Sequence, residues 1–216
     1  MSAARFRSVL FDLDGTVIDS VGLILASHRH AAMTVLGSCP PDDVLRRGVG
    51  AHLVTQMATL APDRVDELLV AYRAHNDAAH DAHVRAFDGI VDLLVALRAA
   101  GARVGIVTSK RRATAERAFR LVPVERLLDV VVTSDDTTEH KPHPAPLRLA
   151  LERLGARAAD ACYVGDSEFD MASARAAGVH AIGVTWGAAT EEQLLDAGAE
   201  AIVTTREELE GLLLDG

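Results

Sequence analysis

Six short apolar runs, each preceding a longer amphipathic stretch, constrain this chain more than any other feature. They are SVLFDL (8–13), RVGIVT (103–108), DVVVTS (129–134), ACYVGD (161–166), HAIGVTW (180–186) and AIVTT (201–205). Near-continuous apolar character, without alternation, marks parallel strands covered on both faces. The intervening GIVDLLVALRAAG, RRATAERAFRLV, PAPLRLALERLG, EFDMASARAAG and TEEQLLDAG have helical spacing. Leu93, Leu94 and Leu97 share one helical face, and Gly101, Gly155 and Gly178 stand where helices should stop. This alternation predicts an α/β fold, a doubly wound (Rossmann-like) parallel sheet with helices on both sides.

One interval breaks the rhythm. Residues 14–102 separate the first run from the second, where a strand–helix–strand unit needs only about 30 residues. No strand pattern appears in residues 17–84. Helical stretches are expected at 20–36, near 41–47, at 51–60 and at 63–83. The expected division is therefore a core of residues 1–16 and 85–216, with an all-helical insertion over residues 17–84.

Charge narrows the function. The 216 residues carry 31 acidic and 22 basic side chains, a formal charge of −9, and no basic stripe that would track a phosphate backbone. Nucleic acid is thus not an expected partner. Arg5 and Arg7 precede an apolar run that Asp12 interrupts, too short for a signal peptide or a membrane span. Cys39 and Cys162 are far apart in sequence, as expected of two reduced thiols. These features predict a cytoplasmic protein with no membrane partner; they leave monomer and homodimer both open.

The polar residues fall in a pattern. Ligands of a doubly wound sheet bind beyond the carboxyl ends of its strands. Asp12 and Asp14 close the first run, Thr108 and Ser109 the second, and Asp166 the fourth, while Lys141 lies in the loop EHKPHP after the third. Converging carboxylates repel one another and raise each other's pKa unless a cation is present. Oxygen donors suit a hard ion such as Mg²⁺, and a phosphoryl group would complete its shell. One carboxylate could then attack phosphorus while another moves a proton. Asp12 and Asp14 would face the same way if the strand stayed regular to Asp14.

In these residues the chain resembles the haloacid-dehalogenase-like hydrolase superfamily. Four motifs appear in order: DLDGT (12–16), a strand ending in VTS (107–109), KP (141–142) and GDSEFD (165–170). The helical insertion resembles the cap of one subclass, which includes phosphoglycolate phosphatases, pyrophosphatases and sugar-phosphate phosphatases. The resemblance implies a Mg²⁺-dependent phosphatase acting on a small phosphorylated metabolite through an aspartyl-phosphate, with phosphoglycolate or a sugar phosphate as the expected substrate and inorganic pyrophosphate as the alternative. By it, Asp12 would be the nucleophile, and Asp14 the group that protonates the leaving oxygen and then activates water. Asp12, Asp14 (through its carbonyl) and Asp166 would hold the metal. Lys141 would pair with phosphate and Asp12, Thr108 would donate to phosphate, and Asp170 would orient Lys141 or metal-bound water. Gly15 and Thr16 would border the substrate. Ser109 is the alternative phosphate donor to Thr108.

The same scaffold admits a β-phosphoglucomutase-like phosphomutase, a metal-free 2-haloacid dehalogenase and a non-catalytic binding module. Thr16 after DLDG favours a phosphatase over the mutase, and Asp14 counts against the dehalogenase. Specificity is expected from the segment LRRGVGAHL (45–53), through Arg47 or His52; the alternative is that both are solvated cap charges. His75, His80 and His83 lack a matching acid or cysteine set, so a solvated or partly buried histidine face is expected. His140 and His143 flank Lys141, and Trp186 is expected at the cleft rim or in the core.

Overall fold

The computed structural model describes residues 3–214. Strand β1 (Ser8–Phe11) is followed by β2 (Ile18–Asp19) and helices α1 (Val21–Leu36), α2 (Asp42–Arg47), α3 (Leu53–Leu60) and α4 (Val65–His83). Then come β3 (Arg85–Ala86), α5 (Ile90–Ala99), β4 (Arg103–Val107), α6 (Arg112–Leu121), β5 (Val130–Val132) and α7 (Ala145–Leu154). The chain continues through β6 (Ala161–Gly165), α8 (Glu168–Ala177), β7 (His180–Val184), α9 (Glu191–Asp196), β8 (Ala201–Val203) and α10 (Arg206–Leu213).

Six strands form one parallel sheet in the order β5-β4-β1-β6-β7-β8. Side chains alternate across a strand, so neighbours in an apolar run must find different covers. Val9 and Phe11 point into a layer with Leu93, Leu94 and Leu97 of α5, Phe119 of α6 and Leu213 of α10. Leu10 points to the opposite layer, with Leu147 and Leu151 of α7 and Met171 of α8. Tyr163 of β6 lies in that second layer, whereas its neighbours Cys162 and Val164 lie in the first. Two buried faces account for the absence of apolar–polar alternation. Each fully buried Leu or Phe contributes about 1.5–3 kcal/mol relative to exposure.

Residues 17–84 are helical apart from one short strand. Ile18 and Asp19 pair antiparallel with Ala86 and Arg85, so the two crossings between sheet and helices form a ribbon. This corrects the expectation that 17–84 holds no strand; two residues are too few to show periodicity. Helices α1 and α4 pack along each other, and Ala31, Met57, Leu68, Leu69 and Tyr72 form their own small core. A second cluster joins Val21, Ile24, Leu25, Leu45 and Val49 to Ala188 of the sheet side, so the helical layer lies directly on the strand ends.

The paired strands are shorter than the apolar runs. The first stops at Phe11, the third spans Val130–Val132, and β7 ends at Val184. Asp14 therefore reaches the site through a turn, not by strand alternation with Asp12. No described helix is long and apolar enough to cross a membrane.

Candidate active site

The Asp12 N–H donates to Val164 O (2.8 Å), extending the β1–β6 pairing by one bond beyond the strand. Thr108 does the same beyond β4, donating to Val132 O at 2.9 Å. Both side chains thereby stand at the open end of the sheet, and both line a cavity of about 480 Å³ beneath the helical layer.

Lys141 is the hub below this cavity. Its Nζ donates to Asp12 Oδ1 (2.9 Å), Asp170 Oδ1 (2.6 Å) and Tyr163 Oη (3.0 Å), which uses its three N–H groups. Lys141, Asp12 and Asp170 are all buried. Tyr163 Oη lies 2.7 Å from Val107 O, which accepts its proton. Asp170 also begins α8: its Oδ2 accepts from the Ser167 N–H (3.0 Å), and Ser167 Oγ returns the contact in a capping box. One carboxylate thus caps a helix with one oxygen and holds Lys141 with the other.

Asp166 follows β6 and is cradled by glycine. A Cβ on Gly15 would lie 2.1 Å from Asp166 Oδ2, and one on Gly187 would lie 2.2 Å from it. Gly15 also has φ +73°, a conformation other residues rarely adopt. Asp166 Oδ1 accepts from Thr16 Oγ1 (3.1 Å) and Oδ2 from the Ala188 N–H (2.7 Å). Thr16, expected at the substrate, directs its hydroxyl to Asp166 instead, because the turn after Asp14 folds back beneath that carboxylate.

Asp14 is held separately. Its Oδ1 accepts from Lys110 Nζ at 2.9 Å and from Ser20 Oγ. Ser20 precedes α1 yet makes no capping bond; its hydroxyl serves Asp14. Lys110 also donates its N–H to Thr108 Oγ1 (3.2 Å). Ser109 also lines the cavity, but its hydroxyl donates across the seam to Gly50 O at 2.7 Å. Gly50 has φ +98°, and a Cβ there would meet Ser167 Oγ at 2.3 Å, so only glycine lets this turn approach the sheet end.

The charges do not balance. Asp12, Asp14, Asp166 and Asp170 face two ammonium groups, those of Lys110 and Lys141. Burial, with the repulsion of Asp170 and Asp14, pushes the Asp12 carboxyl up to about 7 against the pull of Lys141. Burial, then Asp170 and Asp12, push Asp166 well above the usual carboxylate range. For Lys141 burial acts downward, but Asp12 and Asp170 outweigh it and hold the ammonium charged. Oxygens of Asp12, Asp166 and Asp170 lie within 4.8 Å of one another, the one such cluster of three potential metal ligands among the described residues. An all-carboxylate set with excess negative charge fits a hard divalent cation. Asp170 is already neutralised by the Lys141 ammonium and caps α8, whereas each Asp166 oxygen accepts from one neutral donor and Asp12 Oδ2 from none among the described residues, which leaves Asp12 and Asp166 as the side chains able to serve one.

The cap residues divide. His52 lines the cavity and stacks on His140, ring centroids 3.9 Å apart at 27°. Arg47 does not line it: its side chain is 67% exposed, pairs with Asp43 at 3.6 Å, and borders a separate recess beside Glu168 and Gln193. The i,i+4 geometry of α2 turns it away from the strand ends. His75 meets Ser27 Oγ, His80 meets Asp81, His83 meets Ala79 O and His143 meets Glu139, none in a metal cluster. Trp186 donates to Thr16 O at 3.3 Å and packs edge-on against Phe87.

Sequence reasoning missed Lys110, Ser20 and Tyr163. A phenol within the apolar run ACYVG needed a buried partner, a usable signal. Lys110 and Ser20 carried none, since their contact with Asp14 depends on two turns meeting.

A family model described as haloacid dehalogenase-like hydrolase matches residues 9–184. A Bacillus pumilus protein named pyrophosphatase PpaX is 36% identical over 194 residues, 90% of each chain. The fold matches a haloacid dehalogenase-like hydrolase candidate from Bacteroides fragilis (TM-score 0.87, 29% identity, 94% of this chain and 99% of that one). It also matches a phosphoglycolate phosphatase candidate from Lactobacillus plantarum (TM-score 0.85, 26% identity, 96% and 99%). With that match spanning most of the sheet and the motif residues gathered at its carboxyl edge, the chain belongs to the haloacid dehalogenase-like hydrolase family.

Proposed function

We propose that this protein is a Mg²⁺-dependent phosphatase that hydrolyses a small phosphorylated metabolite through an aspartyl-phosphate. The observation that carries this reading is the pairing of Asp12, one oxygen held by Lys141, with Asp14 on a separate cationic support, both on one cavity. Asp12 Oδ2 has no protein donor among the described residues and is the attacking atom. It forms a bond to phosphorus as the bond to the leaving oxygen breaks. Asp14 gives that oxygen a proton, then takes one from the water that attacks the acyl phosphate. Lys141 keeps Asp12 oriented and supplies positive charge beside the transferring group. Thr108, whose Oγ1 accepts from Lys110 and keeps its own proton, donates to a phosphate oxygen; Ser109 is committed to Gly50. Asp12, Asp166 and the Asp14 carbonyl would hold Mg²⁺, which would offset the excess carboxylate charge and polarise the phosphoryl group.

Residues 17–84 act as the cap over a core of 1–16 and 85–216, which supports a small substrate and no polymer. The PpaX similarity supports inorganic pyrophosphate, and the Lactobacillus plantarum likeness supports phosphoglycolate. The dedicated partners of Asp14 count against a dehalogenase, which needs no second carboxylate. Free Cys39 and Cys162 support a reducing, cytoplasmic location. A phosphate-release screen over pyrophosphate, phosphoglycolate and sugar phosphates with Mg²⁺ tests the reading. Asp12-dependent release from at least one is expected. Isomerised sugar phosphate without free phosphate would establish the mutase instead.

A further inference from the structure

The cavity wall opposite the strand ends carries a cation with no carboxylate partner among the described residues. Five basic side chains line or underlie this cavity, and four have a carboxylate within 4.0 Å. Lys141 holds Asp12 and Asp170, Lys110 holds Asp14 at 2.9 Å, Arg117 holds Asp81 at 2.7 Å, and Arg111 faces Asp135 at 4.0 Å. Arg73, on α4 and partly buried, has no carboxylate partner among the described residues. It stands between two cavity-lining residues of the same helix, Tyr72 and Asn76, both buried. Asn76 is tied back to α1 through Ser27 Oγ (3.3 Å), so this part of the wall is braced. Arg73 and His52 line the same cavity, and after burial and His140 the Arg73 charge contributes to holding the His52 imidazole below its usual pKa.

We infer that Arg73 binds a second anionic group of the substrate, on the leaving side of the phosphoryl group attacked by Asp12. A guanidinium presents a planar fork matched to a phosphate or carboxylate, and a partly desolvated one without a counter-ion is relieved by an anionic ligand. The substrate class is therefore a phosphoryl compound with two anionic ends, bridging Asp12 and Arg73. Pyrophosphate and phosphoglycolate share that chemistry; phenyl phosphate, with an uncharged leaving side, does not. The inference rests on the phosphatase reading and sharpens its substrate.

The test compares kcat and KM of wild type, Arg73→Ala and Arg73→Lys on pyrophosphate, phosphoglycolate and phenyl phosphate. Arg73→Ala should lower kcat/KM on the preferred two-ended substrate about 10- to 100-fold and leave phenyl phosphate within about threefold. Arg73→Lys should recover part of the loss, and Tm should be unchanged in both variants. The preferred arm tells phosphate from carboxylate as the second anion. Equal losses on all three substrates, or none, would overturn the assignment of Arg73 while leaving the phosphatase intact. Absence of Asp12-dependent phosphate release by the wild type from every substrate would overturn both.

Discussion

At the carboxyl edge of the sheet, almost every buried charge is answered. Lys141 makes three contacts, Asp170 serves both a helix and a lysine, and Asp166 accepts from Thr16 and Ala188. The facing wall, from the helical layer, is the opposite. Among the described residues Arg73 has no counter-ion there, and His52 meets the sheet side through a ring stack with His140, whose buried Nδ1 has no partner among them either. Preorganised electrostatics suit a reaction that must place charge accurately. Open valences suit recognition, where a ligand completes them. On the proposed reading chemistry and selectivity occupy different walls, so mutations on each should separate in kinetic signature.

The strongest way to break that contrast is at Asp12. Asp12→Asn should lower kcat by about 10³-fold or more while Tm holds, because Lys141 keeps Asp170 as a partner. Residual full activity would remove the assigned nucleophile. Lys141→Met should cost both activity and about 3–5 kcal/mol of stability, read by urea denaturation, since Asp12 and Asp170 would remain buried without their cation. An unchanged midpoint would mean that the hub is not structural.

Metal should act on the sheet wall alone. Mg²⁺ at about 100 times its Kd should stabilise the protein by about 2.7 kcal/mol, seen as a Tm rise that EDTA reverses. Asp166→Asn should abolish that rise; Arg47→Ala should leave it intact. Thr108→Ala should lower kcat/KM about 10-fold or more, whereas Ser109→Ala, which loses only the Gly50 contact, should cost about threefold or less.

The smallest effect concerns pH. Burial, then His140 and Arg73, hold His52 below its ordinary pKa, with Asp135 opposing; burial does the same for His140. A histidine depressed in the folded protein takes up its proton more readily when unfolded or when the stack opens. Its stabilising contribution is complete above about pH 6.5 and is lost as pH falls through the folded value. Stability from the stack should therefore decline on acidification below about pH 6.5, and His52→Ala should flatten that part of the Tm–pH curve. An identical slope in wild type and variant would show that the stack does not couple the walls.

The sheet was legible because burial on two faces writes itself as uninterrupted apolar runs, and helix ends as Gly155 and Gly178, both left-handed caps in the structure. The carboxylates were legible because they sit where such runs must end. Strand lengths were not: β1 ends at Phe11, with one further bond from Asp12, although the apolar character continues to Leu13, since Leu13 is buried by a turn that no alternation marks. The roles of Thr16, Ser109 and Arg47 also escaped, because each depends on which distant segment a turn brings within reach.

By itself, then, the sequence determined the layered fold, the helical insertion and the set of acids at one edge. These follow from local periodicity and from where a charge can lie in an apolar chain. Tertiary structure alone decided that Lys110 supports Asp14, that Tyr163 joins the Lys141 hub, and that Arg73 lines the cavity without a carboxylate partner among the described residues. The first two contacts span 96 and 22 positions along the chain. They depend on directions set by packing, and no residue spacing encodes those.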